Sequence, residues 1–174
     1  MLYESITKEK IYDKYDPYSK KSEALFQFAE DVIQCANLSK LDYYFCGGIS
    51  FMLYFGKSYR PLNDLDFIIN PQELKTWKQF FELQSLGPRK CRYVNLTTAN
   101  AIPKYKIYWN SNGEKYTVEI LLAFDKSKST VININNQSIN VTHPQTMIND
   151  KSKYSREKDF LDIEYYGSIQ YKPE

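Results

Sequence analysis

Apolar and polar residues alternate along the chain with periods that separate helices from strands. From Lys20 onward, Ala24, Leu25, Phe28, Ala29, Val32, Ile33 and Ala36 recur at helical spacing, with Glu30 and Asp31 on the wet side and Ser22 as the expected cap. Tyr43, Tyr44 and Phe45 suit a strand, Gly47-Gly48 a turn, and Ile49 to Phe55 a short helix ended by Gly56. Beyond Pro61, the run Asp64-Leu65-Asp66-Phe67-Ile68-Ile69 has a period of two. Leu65, Phe67 and Ile69 therefore share one face, and Asp64 and Asp66 project side by side from the other. Pro71 opens a helix with Leu74, Trp77, Phe80 and Phe81 as its apolar stripe, ending near Leu86-Gly87-Pro88.

The second half reads mainly as strands. Arg89 to Arg92 and Asn95 to Asn100 look irregular. Tyr105 to Trp109 and Tyr116 to Leu122 flank Asn110-Ser111-Asn112-Gly113 and form a hairpin. A second hairpin joins Val131 to Ile134 with Ile139 to Val141 through Asn135-Asn136. Pro144 to Asp150 and Ser155 to Tyr166 read as helices, the latter with Phe160, Ile163 and Tyr166 on one face and Asp159, Asp162 and Glu164 elsewhere. The first nineteen residues are polar and tyrosine-rich, and are expected to form an arm or a short helix. With no internal repeat or long linker, residues 20–174 are expected to form a single domain.

Composition narrows the setting more than the chemistry. At 174 residues and 43% hydrophobic content, the chain can bury a core of its own. A formal net charge of +2, from 23 basic and 21 acidic residues, argues against broad electrostatic binding to nucleic acid. Cys35, Cys46 and Cys91, with a single histidine, indicate neither a disulfide framework nor a zinc site. No apolar run approaches the roughly 18 residues that cross a bilayer, and the opening MLYESITKEK has no apolar signal core. A reducing cytoplasm is the expected location, with no membrane partner.

Two adjacent carboxylates on one strand repel unless a cation sits between them, and Mg²⁺ is the natural candidate. Two such ions roughly 3.5–4 Å apart can hold both the attacking and the leaving oxygen of a phosphoryl displacement. The amides of Gly47 and Gly48 at a helix start suit an anion, Ser50 would add a hydroxyl donor, and Arg60 is near enough in sequence to help neutralise phosphate. On its strand, Glu119 points away from Val118, Ile120 and Leu122, either as a third carboxylate or as a solvated one.

The order Gly-Gly, short apolar helix, Gly, basic residue, Asp-Leu-Asp resembles the polymerase-beta-like nucleotidyltransferase superfamily. Within it, RPLNDLDF is similar to the matching segment of AbiE-type toxins and of aminoglycoside and lincosamide nucleotidyltransferases. The resemblance implies an α/β (α+β) fold, a mixed sheet with helices packed mainly on one side. It also implies that Asp64, Asp66 and Glu119 hold metal and are catalytic, with Asp125 as the alternative third acid and Glu114 a poorer one. The C-terminal segment is similar too: Lys151, Lys158, Asp159 and Asp162 fit a Pro-led helix, a Lys and then Arg-x-Lys-Asp-x-x-Asp-Ile. Lys151 is expected on the triphosphate; Lys158 and Asp159 would tie the last helix to the sheet or to the nucleotide. His143 reads as a helix cap.

The implied activity moves a nucleoside monophosphate from a Mg²⁺-bound nucleoside triphosphate, with Mn²⁺ as a substitute, to an acceptor hydroxyl or phosphate, releasing pyrophosphate. A small antibiotic-like molecule, a tRNA end and a protein side chain all stay open as acceptor. The alternative is a nucleotidyltransferase-like protein without turnover that acts by binding nucleotide or a partner protein.

Overall fold

The computed structural model describes residues 2–3 and 19–169. The expected arm lies outside the described residues except for Leu2, Tyr3 and Ser19. Leu2 is buried in the core, and its backbone N–H donates to Glu30 Oε1 at 2.8 Å.

Helix α1 (Lys20–Ser39) starts at Ser19, whose hydroxyl accepts the Ser22 N–H at 3.0 Å. Ser22, expected as the cap, is instead buried and accepts the Leu62 N–H at 2.7 Å, tying the helix to the loop before the acidic strand. Strand β1 (Tyr43–Cys46) runs directly into α2 (Gly47–Phe55), which Gly56 closes at φ +67°. Strand β2 (Leu65–Ile69) follows, then a short 3-10 turn (Pro71–Glu73) and α3 (Leu74–Leu86).

The remaining strands are β3 (Arg92–Asn95), β4 (Lys104–Ser111), β5 (Glu114–Leu121), β6 (Ser129–Ile134) and β7 (Gln137–Thr142). Both hairpins turn on two residues at positive φ, Asn112-Gly113 and Asn135-Asn136, the conformation whose twist matches the flanking strands. β3 bridges two stretches that looked irregular, through Tyr93 and Val94, for which no element was expected. It is an edge strand with mostly exposed side chains, held by its antiparallel partner β4 rather than by apolar periodicity. Helices α4 (Pro144–Tyr154) and α5 (Glu157–Gly167) close the chain.

The seven strands form one mixed sheet in the order β3-β4-β5-β2-β1-β7-β6, with β2–β5 and β1–β7 parallel and the other neighbours antiparallel. One face is apolar and carries α1 and α3. There Phe28 stacks on Trp109 at 5.4 Å between ring centroids, and Trp77 packs on Phe67 at 5.5 Å. The expected α/β (α+β) architecture with a mixed sheet is the one observed, with α1 and α3 on the apolar face and α4 and α5 over the opposite one. A smaller cluster, Phe51, Tyr59, Met147, Tyr165 and Tyr166, joins α2 to the C-terminal helices.

Helix α5 departs from the expected pattern. It buries Asp159 and Asp162 completely, while Phe160 stands 55% exposed. Burying two carboxylates is tolerable because cations from the loop before β2, from α4 and from the turn before α5 meet them there.

Candidate active site

β1 and β2 pair antiparallel and β2 and β5 pair parallel, so Cys46, Asp66 and Glu119 fall in register across three central strands. Alternation has already committed Phe45, Phe67 and Val118 to the core, which turns this trio to the opposite face. That face forms one wall of a cavity of about 430 Å³; α4 and α5 supply much of the rest through Met147, Asp150, Lys151, Tyr154 and Lys158. Asp64, exposed and one residue ahead of β2, lines the same space.

Gly47 is needed for two reasons. Its φ is +66°, and a Cβ there would lie 2.7 Å from Asp66 Oδ2. The missing side chain makes room for the Asp66 carboxylate at the start of α2. Gly48 is under less constraint, since its Cβ would meet Arg60 Nη2 and Leu62 Cδ1 at ordinary contact distances of 3.5 and 3.6 Å.

The acidic wall is uncompensated. Burial raises the Asp66 pKa to about 7, with the Asp64 and Glu119 charges adding to it against the pull of Lys151 and Lys158. Burial and the same carboxylates, with Asp150, hold the Cys46 thiol well above its ordinary value, so it stays a neutral wall group. Glu119 meets Lys104 Nζ only at 3.9 Å, and both side chains are more than a third exposed.

Two cations face this wall from a second, fully paired cluster. Arg60 donates to both Asp162 oxygens, from Nε at 2.8 Å and from Nη2 at 2.7 Å. Lys151 Nζ lies 2.8 Å from Asp162 Oδ2 and 3.3 Å from Asp159 Oδ1. Tyr59 donates its hydroxyl to Asp162 at 2.5 Å, and Arg156 donates from Nε to Asp159 at 2.7 Å. Burial alone would raise the pKa of both aspartates, but the guanidinium and ammonium groups outweigh it and hold each below the ordinary value.

The sequence-predicted residues are thus sorted. Asp64, Asp66, Glu119, Gly47, Gly48, Arg60, Lys151 and Lys158 all line the cavity. Ser50 does not: it is fully buried, and its hydroxyl accepts the Thr142 N–H at 3.0 Å, joining α2 to β7. Lys151, expected on phosphate, is the lysine bound to the α5 acids, whereas Lys158 reaches the cavity without an ion pair among the described residues. Asp125 caps the 3-10 turn Lys126–Lys128 by accepting from Ser127 N at 3.0 Å, and Glu114 sits at the β4–β5 hairpin end; neither lines the cavity. His143 caps α4, with Nδ1 accepting the Gln145 N–H at 3.3 Å.

Cavity residues that the sequence reading missed include Asp150, Tyr154 and Arg156. The first two share the helical stripe Met147, Asp150, Lys151, Tyr154, a spacing visible in the sequence.

The donor chemistry of the acidic wall, hard carboxylate oxygens with no nitrogen or thiolate competitor in its ionised form, fits Mg²⁺. Among the described residues no three His, Cys, Asp or Glu converge closely enough to hold an ion unaided. Mg²⁺ characteristically takes one or two carboxylates and completes its shell with water and substrate phosphate.

Neither a family model nor a curated protein sequence matches the chain. Solved structures do. A lincosamide antibiotic adenylyltransferase, LnuA, with lincomycin bound aligns with a TM-score of 0.57 at 16% identity over 89% of this chain and 100% of its own. The antibiotic-resistance factor ANT(2'')-Ia aligns at 0.59 and 9% identity over 83% of each chain. The Megavirus polyadenylate synthase aligns at 0.55 and 16% identity over 88% of this chain, which spans 33% of the viral enzyme. At these identities the likeness establishes the fold alone, one that this chain shares with these solved nucleotidyltransferase structures.

Proposed function

We propose that this protein is a metal-dependent nucleotidyltransferase, moving a nucleoside monophosphate from a nucleoside triphosphate to an acceptor hydroxyl or phosphate. The observation that carries the reading is the two-signed cavity. Asp66 and Glu119 stand in register on one wall beside Asp64, and Lys158 with the anchored Arg60 and Lys151 stands on the other.

Asp64 and Asp66, with Glu119 beside them, would hold Mg²⁺, which when bound neutralises charge on the phosphates and on the departing pyrophosphate. The amides that open α2 at Gly47 and Gly48 point their partial positive charge at the phosphate chain. Lys158 adds a mobile cation there. Glu119 accepts the proton of the acceptor hydroxyl as the acceptor oxygen bonds to the α-phosphorus. The bond from that phosphorus to the bridging oxygen breaks, and pyrophosphate leaves with the electron pair. Placing acceptor, phosphorus and leaving group in line is the fold's main contribution.

Incubation with labelled triphosphates, Mg²⁺ and cell extract tests the reading. Pyrophosphate release coupled to label on one acceptor fraction is expected. A rise in melting temperature with triphosphate but no pyrophosphate under any acceptor would leave the non-catalytic binding protein as the better account.

A further inference from the structure

Tyr154 ends α4 as a residue 65% exposed that lines the cavity. Leaving an aromatic side chain in water forgoes the burial that most of the tyrosines and phenylalanines here obtain. The ring is nonetheless held in a defined setting. Ser155 adopts φ 52°, and this left-handed turn brings the Arg156 guanidinium over the ring, 5.2 Å from its centroid. Arg156 is itself locked, donating to the fully buried Asp159 from Nε at 2.7 Å and from Nη2 at 3.2 Å. A cation over an aromatic ring, both lining the cavity, is therefore held on a buried anchor.

The register of α4 gives this stack a place in the site. Lys151 and Tyr154 are three residues apart on the helix stripe that lines the cavity, a rise of roughly 4.5 Å. Along this stripe the lining passes from the buried Lys151 to the exposed Tyr154. A nucleoside triphosphate has the same polarity, anionic at one end and a flat aromatic base at the other.

We propose that Tyr154, backed by Arg156, is the platform on which the nucleobase of the triphosphate stacks. The assignment rests on reading the cavity as a triphosphate site. Stacking reads the face of a base rather than its hydrogen-bonding edge, so the platform accepts every nucleobase and favours purines by their larger area.

Calorimetric titration with Mg²⁺ and three probes tests it: non-hydrolysable ATP, non-hydrolysable UTP, and inorganic tripolyphosphate, which has no base. Tyr154→Ala should weaken the ATP analogue by roughly five- to a hundredfold, the range that loss of one stacked base gives, and narrow its advantage over the UTP analogue. Tripolyphosphate affinity should not change, and Tyr154→Phe should keep wild-type affinity for all three. Equal ATP-analogue affinity in wild type and Tyr154→Ala, or an equal loss for tripolyphosphate, overturns the platform while leaving the triphosphate site standing. Failure of the wild-type protein to bind any of the three probes would instead overturn the cavity reading and the platform with it.

Discussion

Asp66 lines the cavity, Asp162 lies buried behind the Arg60 and Lys151 that line it, and the fold treats the two aspartates in opposite ways. Asp162 is fully buried, yet it receives the Tyr59 hydroxyl, Nε and Nη2 of Arg60 and the Lys151 ammonium. Asp66 sits against a bare glycine with Asp64 and Glu119 beside it, and its pKa rises to about 7. An acid that serves stability is surrounded by cations of the protein. The cavity-lining acid is left short of them, which under the proposed function lets the missing charge arrive from outside.

Breaking the comparison on the acidic side should have the largest effect. Asp66→Asn or Asp64→Asn should cut transfer by more than about a thousandfold, since a metal ion contributes several kcal/mol of transition-state stabilisation. The melting temperature without metal should hold or rise, because a like charge has been removed. Wild-type turnover in either variant would sink the metal assignment.

On the α5 side the outcome should reverse. Asp162→Ala strands Arg60 and Lys151 in a buried setting and should destabilise the fold by about 3–5 kcal/mol, read from denaturant unfolding. A loss under about 1 kcal/mol would mean that the network is dispensable.

Titration sharpens the contrast without mutation. Asp66 has a raised folded-state pKa, so the folded protein binds the extra proton between the ordinary carboxylate value and about 7. Its contribution favours folding at low pH and is lost as pH rises through that window. Asp159 and Asp162 have lowered pKa values, so their contribution is present above the ordinary carboxylate value and lost as pH falls below it. Metal-free stability measured against pH should therefore fall from about pH 4 to 7 in wild type and lose that slope in Asp66→Asn. A slope that survives the substitution would assign it to another group.

The smallest effect is expected at Lys158. Partly exposed and without an ion pair among the described residues, it should contribute roughly two- to fivefold to triphosphate affinity, less as salt rises. Lys158→Ala titrated with a non-hydrolysable triphosphate at two salt concentrations reads this directly. Lys151→Ala serves as the contrast, with its loss appearing mainly in melting temperature.

The strand bearing Asp66, the turn at Gly47-Gly48 and both hairpins were legible because local rules suffice for them: a period of two, positive φ and turn chemistry all act within a few residues. The same period placed Glu119 opposite Val118 and Ile120. Strand β3 was not legible, since an edge strand is held by its neighbour's backbone and needs no apolar alternation. Helix α5 was misjudged because periodicity assumes that apolar residues face inward. Asp159 and Asp162 go inside because Arg60, about a hundred residues away, and Lys151, on the preceding helix, meet them there.

By itself the sequence determined on which strands and turns the acidic and glycine residues of the cavity stand, because side-chain alternation is a property of each strand alone. Only the tertiary structure decided what each charge meets. It brought β2 beside β5 to set Asp66 next to Glu119, buried Ser50 against β7, and gave the α5 acids to Lys151 rather than Lys158. Those outcomes depend on distances between residues remote in sequence, where Coulomb energy and desolvation vary steeply with a few ångströms.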